Sequence, residues 1–226
     1  MIRENIREVE KNIAAACKRA GRNPEDVLLI AVSKTKPVSM ILEAIDAGMT
    51  DFGENRVQEI VEKIPQVPSH TRFHMIGHLQ KNKVRQVIDK AVLIHSVDSV
   101  ALAEQISKEA VKRNIQAEIL LEVNVAREES KFGFYLEDLE ENVKKIQEFS
   151  NIIIKGFMTV APFVENPEDN REIFKKLYQF YVDMKSKNID NGTMSVLSMG
   201  MTGDYEVAIE EGATMIRVGT GIFGTR

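Results

Sequence analysis

The run Val27-Leu28-Leu29-Ile30-Ala31-Val32 is apolar at every position, and it is the feature that most constrains the fold. A strand with one wet face alternates apolar and polar residues. An unbroken run instead predicts a strand covered on both faces, as in a parallel sheet flanked by helices. Before it, Ile2, Ile6, Val9, Ile13 and Cys17 recur at helical spacing, which predicts an amphipathic helix over 2–20 that Gly21 stops.

After the first strand the alternation repeats to the end of the chain. Helices are expected over 37–47, 56–63, 81–90, 99–113, 136–149, 167–185 and 204–211. Strands are expected over 51–53, 72–76, 91–95, 118–124, 152–158, 194–197 and 214–218. Eight strands alternating with helices predict an α/β fold, and the right-handed crossover rule favours a single (β/α)8 TIM-type barrel over 1–226. No helix is expected after the last strand, so the N-terminal helix 2–20 is expected to pack on the barrel in that sector.

Several function classes lose support from composition. The net charge of −4 gives no overall positive field for a nucleic-acid backbone. Lys81, Lys83, Arg85 and Lys90 form the best local patch, but no aromatic residue interleaves them, and a solvated helix face explains them. The single cysteine, Cys17, excludes an intrachain disulfide and reads as a small packing residue. With no secretory signal and no apolar run near the roughly 20 residues of a membrane span, the expected location is the cytoplasm.

Sites in such barrels sit where the strands end. Those ends bring together Lys34, Asn55, His78, Asn124, Thr159, Ser198, Arg217, Gly219 and Thr220. The segments Ser198-Met199-Gly200 and Gly219-Thr220-Gly221 read as glycine-rich turns after the seventh and eighth strands. That is where barrels commonly hold a phosphate group, with backbone N–H groups and the Ser198 and Thr220 hydroxyls as donors. A helix starting near Asp204 would point its positive end the same way. The stretch 219–224 matches G-x-G-x-x-G, but nothing after it could supply the second strand and acidic partner of a dinucleotide fold. His74 and His78 lack any metal-site pattern, and no metal is expected.

Lys34 ends the most apolar strand, where an amine is costly unless paired, neutralised or covalently engaged. A desolvated amine there suits attack on a carbonyl. Lys36 precedes Pro37 and is expected to face solvent. From the residues alone, a lysine-dependent aldolase on a phosphate-binding barrel is one possible reading.

The runs 31–37 (AVSKTKP), 52–55 (FGEN), 73–80 (FHMIGHLQ), 197–201 (LSMGM) and 216–224 (IRVGTGIFG) resemble the pyridoxal phosphate homeostasis protein family, in order and over nearly the whole chain. The resemblance implies a pyridoxal 5′-phosphate (PLP)-binding barrel of fold type III, similar to the N-terminal domain of alanine racemase, without the second β domain. It implies the cofactor as a Schiff base on Lys34, Arg217 facing the pyridine nitrogen, phosphate contacts from Ser198, Gly219 and Thr220, and Asn55 near the ring. It also implies a monomer active in vitamin B6 balance, with PLP-requiring apo-enzymes as conceivable recipients.

An arginine at the ring nitrogen is a permanent cation and a poor acceptor, so the ring would be a weak electron sink. No second acid–base residue is evident. The expectation is therefore a binding protein with no catalytic residue. A PLP-dependent racemase-like enzyme is the alternative, and the aldolase comes after it.

Overall fold

The computed structural model describes residues 1–188 and 193–225. Arg226 lies outside the described residues. Eight strands form a closed barrel in chain order: β1 (Leu28–Val32), β2 (Asp51–Glu54), β3 (Arg72–Met75), β4 (Ala91–Val97), β5 (Ala117–Glu122), β6 (Ile152–Met158), β7 (Val196–Met201) and β8 (Met215–Val218). All neighbours are parallel, and β1 closes on β8 from Leu28↔Met215 to Ala31↔Val218. The described residues thus form the expected TIM-type barrel and, among them, no second domain.

The helices are α1 (Ile2–Ala20), α2 (Val38–Asp46), α3 (Val57–Lys63), α4 (Val84–Val87), α5 (Val100–Arg113), α6 (Leu136–Gln147), α7 (Arg171–Ser186), α8 (Tyr205–Glu210) and α9 (Thr220–Phe223). α1 buries Ile2, Ile6, Val9, Ile13 and Cys17, the stripe its spacing predicts, and ends at Gly21 in the left-handed region, φ 65°. Its partners are α2, α8 and α9. Arg3 Nη2 donates to the Asp46 carbonyl, Asn5 Nδ2 to Ile222, and Arg22 Nη1 to Ile209, at 2.6–2.8 Å. The helix therefore spans the seam between β8 and β1, where α9 is a single turn. Among the described residues no helix is long and apolar enough to cross a membrane.

Inside the barrel, Leu93, Leu120, Met158 and Val196 pack together with Met215. Side chains two residues apart share a face, so the next layer toward the strand ends holds His95, Glu122, Ser198 and Arg217. This interior is polar in its upper half. The larger apolar core, with Phe52, Phe73, Phe157 and Phe174, is buried outside that layer. Between β5 and β6 the register slips, because Ile119 pairs Ile154 but Leu120 pairs Gly156. At φ 146°, a Cβ on Gly156 would fall 1.8 Å from the Val196 carbonyl oxygen, so only glycine fits this bulge.

Three elements depart from expectation: α9 is a one-turn helix after the last strand, where none is expected, and two others differ in extent. The segment 81–90 is not one helix but a 3-10 turn (Lys81–Lys83) followed by the one-turn α4. Its buried residues are only Val84, Val87 and Ile88, too few for a long amphipathic stripe. β7 begins two residues later than expected and continues through Met201. Ser198, Met199 and Gly200 are therefore buried strand residues and not a turn. Ser198 looked like a turn residue because it is polar, yet its hydroxyl is satisfied inside the barrel.

Candidate functional site

A cavity of about 520 Å³ opens at the carboxyl end of the barrel. Lys34, Asn55, Arg217, Gly219 and Thr220 all line it, and Val32 and Ile76 give it apolar wall. Such a size and mixture suit a small organic ligand.

Lys34 leaves β1 in a turn closed by the Lys36 N–H on the Ser33 carbonyl at 3.0 Å. Thr35, next to it, sits at φ 64°, a strained position for a β-branched residue. The strain is held by the Thr35 N–H donating to Glu59 Oε1 at 2.6 Å. Behind the turn, Ser33 Oγ donates to Glu54 Oε1 at 2.6 Å. The buried Lys63 ammonium donates to Glu54 Oε1 at 2.7 Å, the Ser33 carbonyl at 2.9 Å and Glu59 Oε1 at 3.0 Å. Burial pushes Glu54 above the usual carboxylate range even though Lys63 and Ser33 pull it down. Lys63 was not singled out in the sequence, where a lysine near a helix end reads as surface.

Lys36 does not face solvent as expected. Its ammonium turns onto the carbonyls of Phe223, Gly224 and Thr225 at 3.1–3.3 Å, capping α9. Asn124 and His78 stand apart from the cavity lining. Asn124 closes its own loop on Glu128, and His78 pairs with Asp98 and stacks on Phe132.

At the other wall, the Gly219 and Gly221 N–H groups both donate to Thr202 Oγ1, at 3.2 and 3.4 Å. Two backbone donors thus converge on one oxygen at the mouth. Thr202, which also lines the cavity, was missed in the sequence. The misplaced end of β7 hid it, and reading on through Met201-Thr202-Gly203 would have found it. The start of α8 does not offer a free positive end. Asp204 occupies that position, accepting from the Met201 N–H at 2.7 Å and from Asn170 Nδ2 at 2.8 Å.

Ser198 is the predicted site residue that the structure does not bring to the cavity wall. It is fully buried beneath Arg217, whose Nη1 donates to its Oγ at 2.5 Å while Nη2 donates to the Thr159 carbonyl at 2.8 Å. Arg217 is 3% exposed, and burial pushes its pKa down to about 10, so it is still a cation at neutral pH. Glu122, in the same interior layer, is raised to about 7 by burial and then by Asp98, against the pull of Arg217. Among the described residues no group of three or more His, Cys, Asp or Glu side chains is placed to hold a metal ion.

This geometry has close counterparts. The family model described as alanine racemase, N-terminal domain, matches residues 5–226. A protein of Aquifex aeolicus named pyridoxal phosphate homeostasis protein is 43% identical over 224 residues, covering 99% of this chain and 97% of that one. Among solved structures, PipY of Synechococcus elongatus with PLP bound superposes with a TM-score of 0.85 at 32% identity, over 99% of this chain and 100% of that one. Alanine racemase of Clostridium difficile shares the fold, with a TM-score of 0.73 at 17% identity; 99% of this chain covers only 57% of it. Matched end to end by such relatives, the chain belongs to the pyridoxal phosphate homeostasis protein family.

Proposed function

We propose that this chain binds pyridoxal 5′-phosphate at the carboxyl mouth of its barrel, with the Lys34 amine as covalent anchor, and serves PLP homeostasis without turnover. The observation that carries this reading is that Lys34, Asn55, Arg217, Gly219 and Thr220 line one cavity. A relative of the same length and fold has been solved with PLP bound.

The donor set fits the group. An amine stands at one wall, and a guanidinium lies below. Two backbone amides converge on the Thr202 oxygen as they would on a phosphate oxygen. When bound, PLP supplies an aldehyde that condenses with amines and a ring that can withdraw electrons. The strained Thr35 turn and the buried Lys63 set the direction in which the Lys34 stem leaves β1. Gly219, Thr220 and Gly221, with Thr202, would orient the phosphate. Arg217, a cation with no acceptor, would face the ring nitrogen and keep protons off it, which argues for storage over chemistry. Ser198, given a phosphate role by resemblance, is better read as the support of Arg217.

One feature favours the alternative of amino-acid turnover. Glu122 lies in the Arg217 layer with a pKa of about 7, suited to moving a proton at neutral pH. A single series of measurements separates the readings. The purified protein should show a visible absorption band, and borohydride followed by peptide mapping should place a pyridoxyl adduct on Lys34. Lys34→Ala should abolish both. Incubation with L-amino acids in deuterated water should leave their Cα–H unexchanged. Exchange that Lys34→Ala abolishes would establish the racemase-like reading, and a colourless protein unmodified by added PLP would overturn cofactor binding altogether. Cytoplasmic location, a monomeric state and hand-over to apo-enzymes complete the proposal. Sedimentation of the holo-protein would test the monomer, and interception of transferred PLP by a trapping agent would argue against direct hand-over.

A further inference from the structure

Five buried side chains from five strands make one continuous hydrogen-bonded line through the barrel. Arg217 Nη1 meets Ser198 Oγ at 2.5 Å, and Ser198 Oγ meets His95 Nδ1 at 2.9 Å. His95 Nε2 meets His74 Nδ1 at 3.0 Å, and His74 Nε2 meets Asp51 Oδ1 at 2.9 Å. None of the five is more than 3% exposed. Arg217 lines the cavity, whereas Asp51 opens β2 at the opposite end of the barrel.

The chemistry of the two ends fixes the direction of every bond. Arginine has only donors, so Ser198 Oγ accepts from Arg217. A buried hydroxyl that accepts from Arg217 has its own proton to place, and His95 Nδ1 takes it. His95 then carries its ring proton on Nε2 and donates to His74 Nδ1, which leaves the His74 proton on Nε2, facing the carboxylate. Burial first, and then His74 and Arg217, drive the His95 pKa well below its usual value, so one proton on that ring is the stable state. Asp51 is anchored as an anion. Burial would raise it, but hydrogen bonds from His74 and Thr50 prevail and hold it below the usual range, with Arg72 Nε 3.2 Å away.

We propose that Asp51, His74 and His95 are positioning residues that act through Ser198 on Arg217. They form a one-way donor line from guanidinium to carboxylate that keeps Ser198 Oγ an acceptor and holds the remaining Arg217 N–H groups toward the cavity. A line with all its donors in one direction strengthens each of its bonds, and its terminal carboxylate accepts the last of them. The part of this that concerns PLP rests on the function proposed above, whereas the line itself does not.

Two measurements test it. Imidazole ¹⁵N–¹H correlation spectra of the protein, assigned by single His→Gln variants of the four histidines, should show His74 and His95 each protonated on Nε2 alone. A proton on His95 Nδ1, or on both nitrogens of His74, would overturn the direction of the line. The second is a double-mutant cycle read by PLP affinity and by the position of the bound visible band. Asp51→Asn should weaken binding about fivefold and shift the band. After Ser198→Ala cuts the line, the same change should cost less than about twofold and leave the band unmoved. Equal effects in both backgrounds would reduce Asp51 to a structural residue and overturn the positioning role. If no variant, nor the parent, binds PLP, it is the proposed function that fails, and the imidazole spectra still decide the line.

Discussion

A methyl group at Gly77 would come within 2.4 Å of the Asn55 carbonyl oxygen and 2.6 Å of its Cα. Gly77 needs no unusual backbone angle; it is glycine because β2 and β3 end in contact there. The motifs at 52–55 and 73–80, which look independent in the sequence, are therefore two sides of one contact that sets where Asn55 meets the cavity. Gly77→Ala should displace Asn55 and cost about 2 kcal/mol of stability, in the range of other overpacking substitutions. It should also weaken PLP binding more than the neighbouring Asn55→Ala does. Titration of PLP against the three proteins checks this, and equal affinity for Gly77→Ala and the parent would show that the contact does not reach the site. At this scale the sequence revealed the residue types well. Lys34 and Arg217 stood out because charge at the end of an apolar strand needs a reason. Lys63, Thr202 and the line from Asp51 to Ser198 did not. Apart from the Glu59–Lys63 pair, their meaning comes from partners 9 to 103 residues away, and no local spacing records such pairs.

Among the elements, the strands were legible where apolar residues dominate, as in β1, expected one residue too early, and β6, whose expected span alone of the two matches the structure residue for residue. β7 was not, because polar residues inside the barrel broke its hydrophobic run and resembled a turn. α9 illustrates a further element that periodicity could not predict. Four residues cannot show a period, and the turn is held from outside, by Asn5 of α1 and by the Lys36 ammonium at its carboxyl end. Its first residues carry the amides that face Thr202, so whatever steadies α9 steadies the proposed phosphate cradle. Lys36→Met keeps the aliphatic stem and removes the charge. The cap is partly exposed, so the expected loss is about 1 kcal/mol, seen as roughly fivefold weaker PLP binding. The Lys34 adduct should still form at saturating PLP. An unchanged affinity would mean that α1 alone fixes the turn.

Across the whole molecule, the polar interior makes stability depend on pH in two opposed ways. Asp51 is held below its usual range, and buried His95 well below 6.5. The unfolded chain therefore binds protons there that the folded barrel refuses, and both contributions are lost as pH falls. Glu122 acts in the other direction. Its pKa rises from 4.5 in the unfolded chain to about 7 in the barrel. Between those values the folded state keeps a proton that the unfolded chain has released, so stability falls as pH rises through that window. At about 1.4 kcal/mol per unit, the ionised carboxylate costs the fold about 3 kcal/mol above neutrality. Glu122→Gln keeps the shape and removes the titration. In urea unfolding the variant should gain on the parent by an additional 2–3 kcal/mol or so between about pH 5 and about pH 8. A constant difference across that range would mean that Glu122 is ionised at little cost, its burial offset by Arg217. That outcome would also remove the group best suited to proton transfer at neutral pH, and with it the main structural support for turnover at this site.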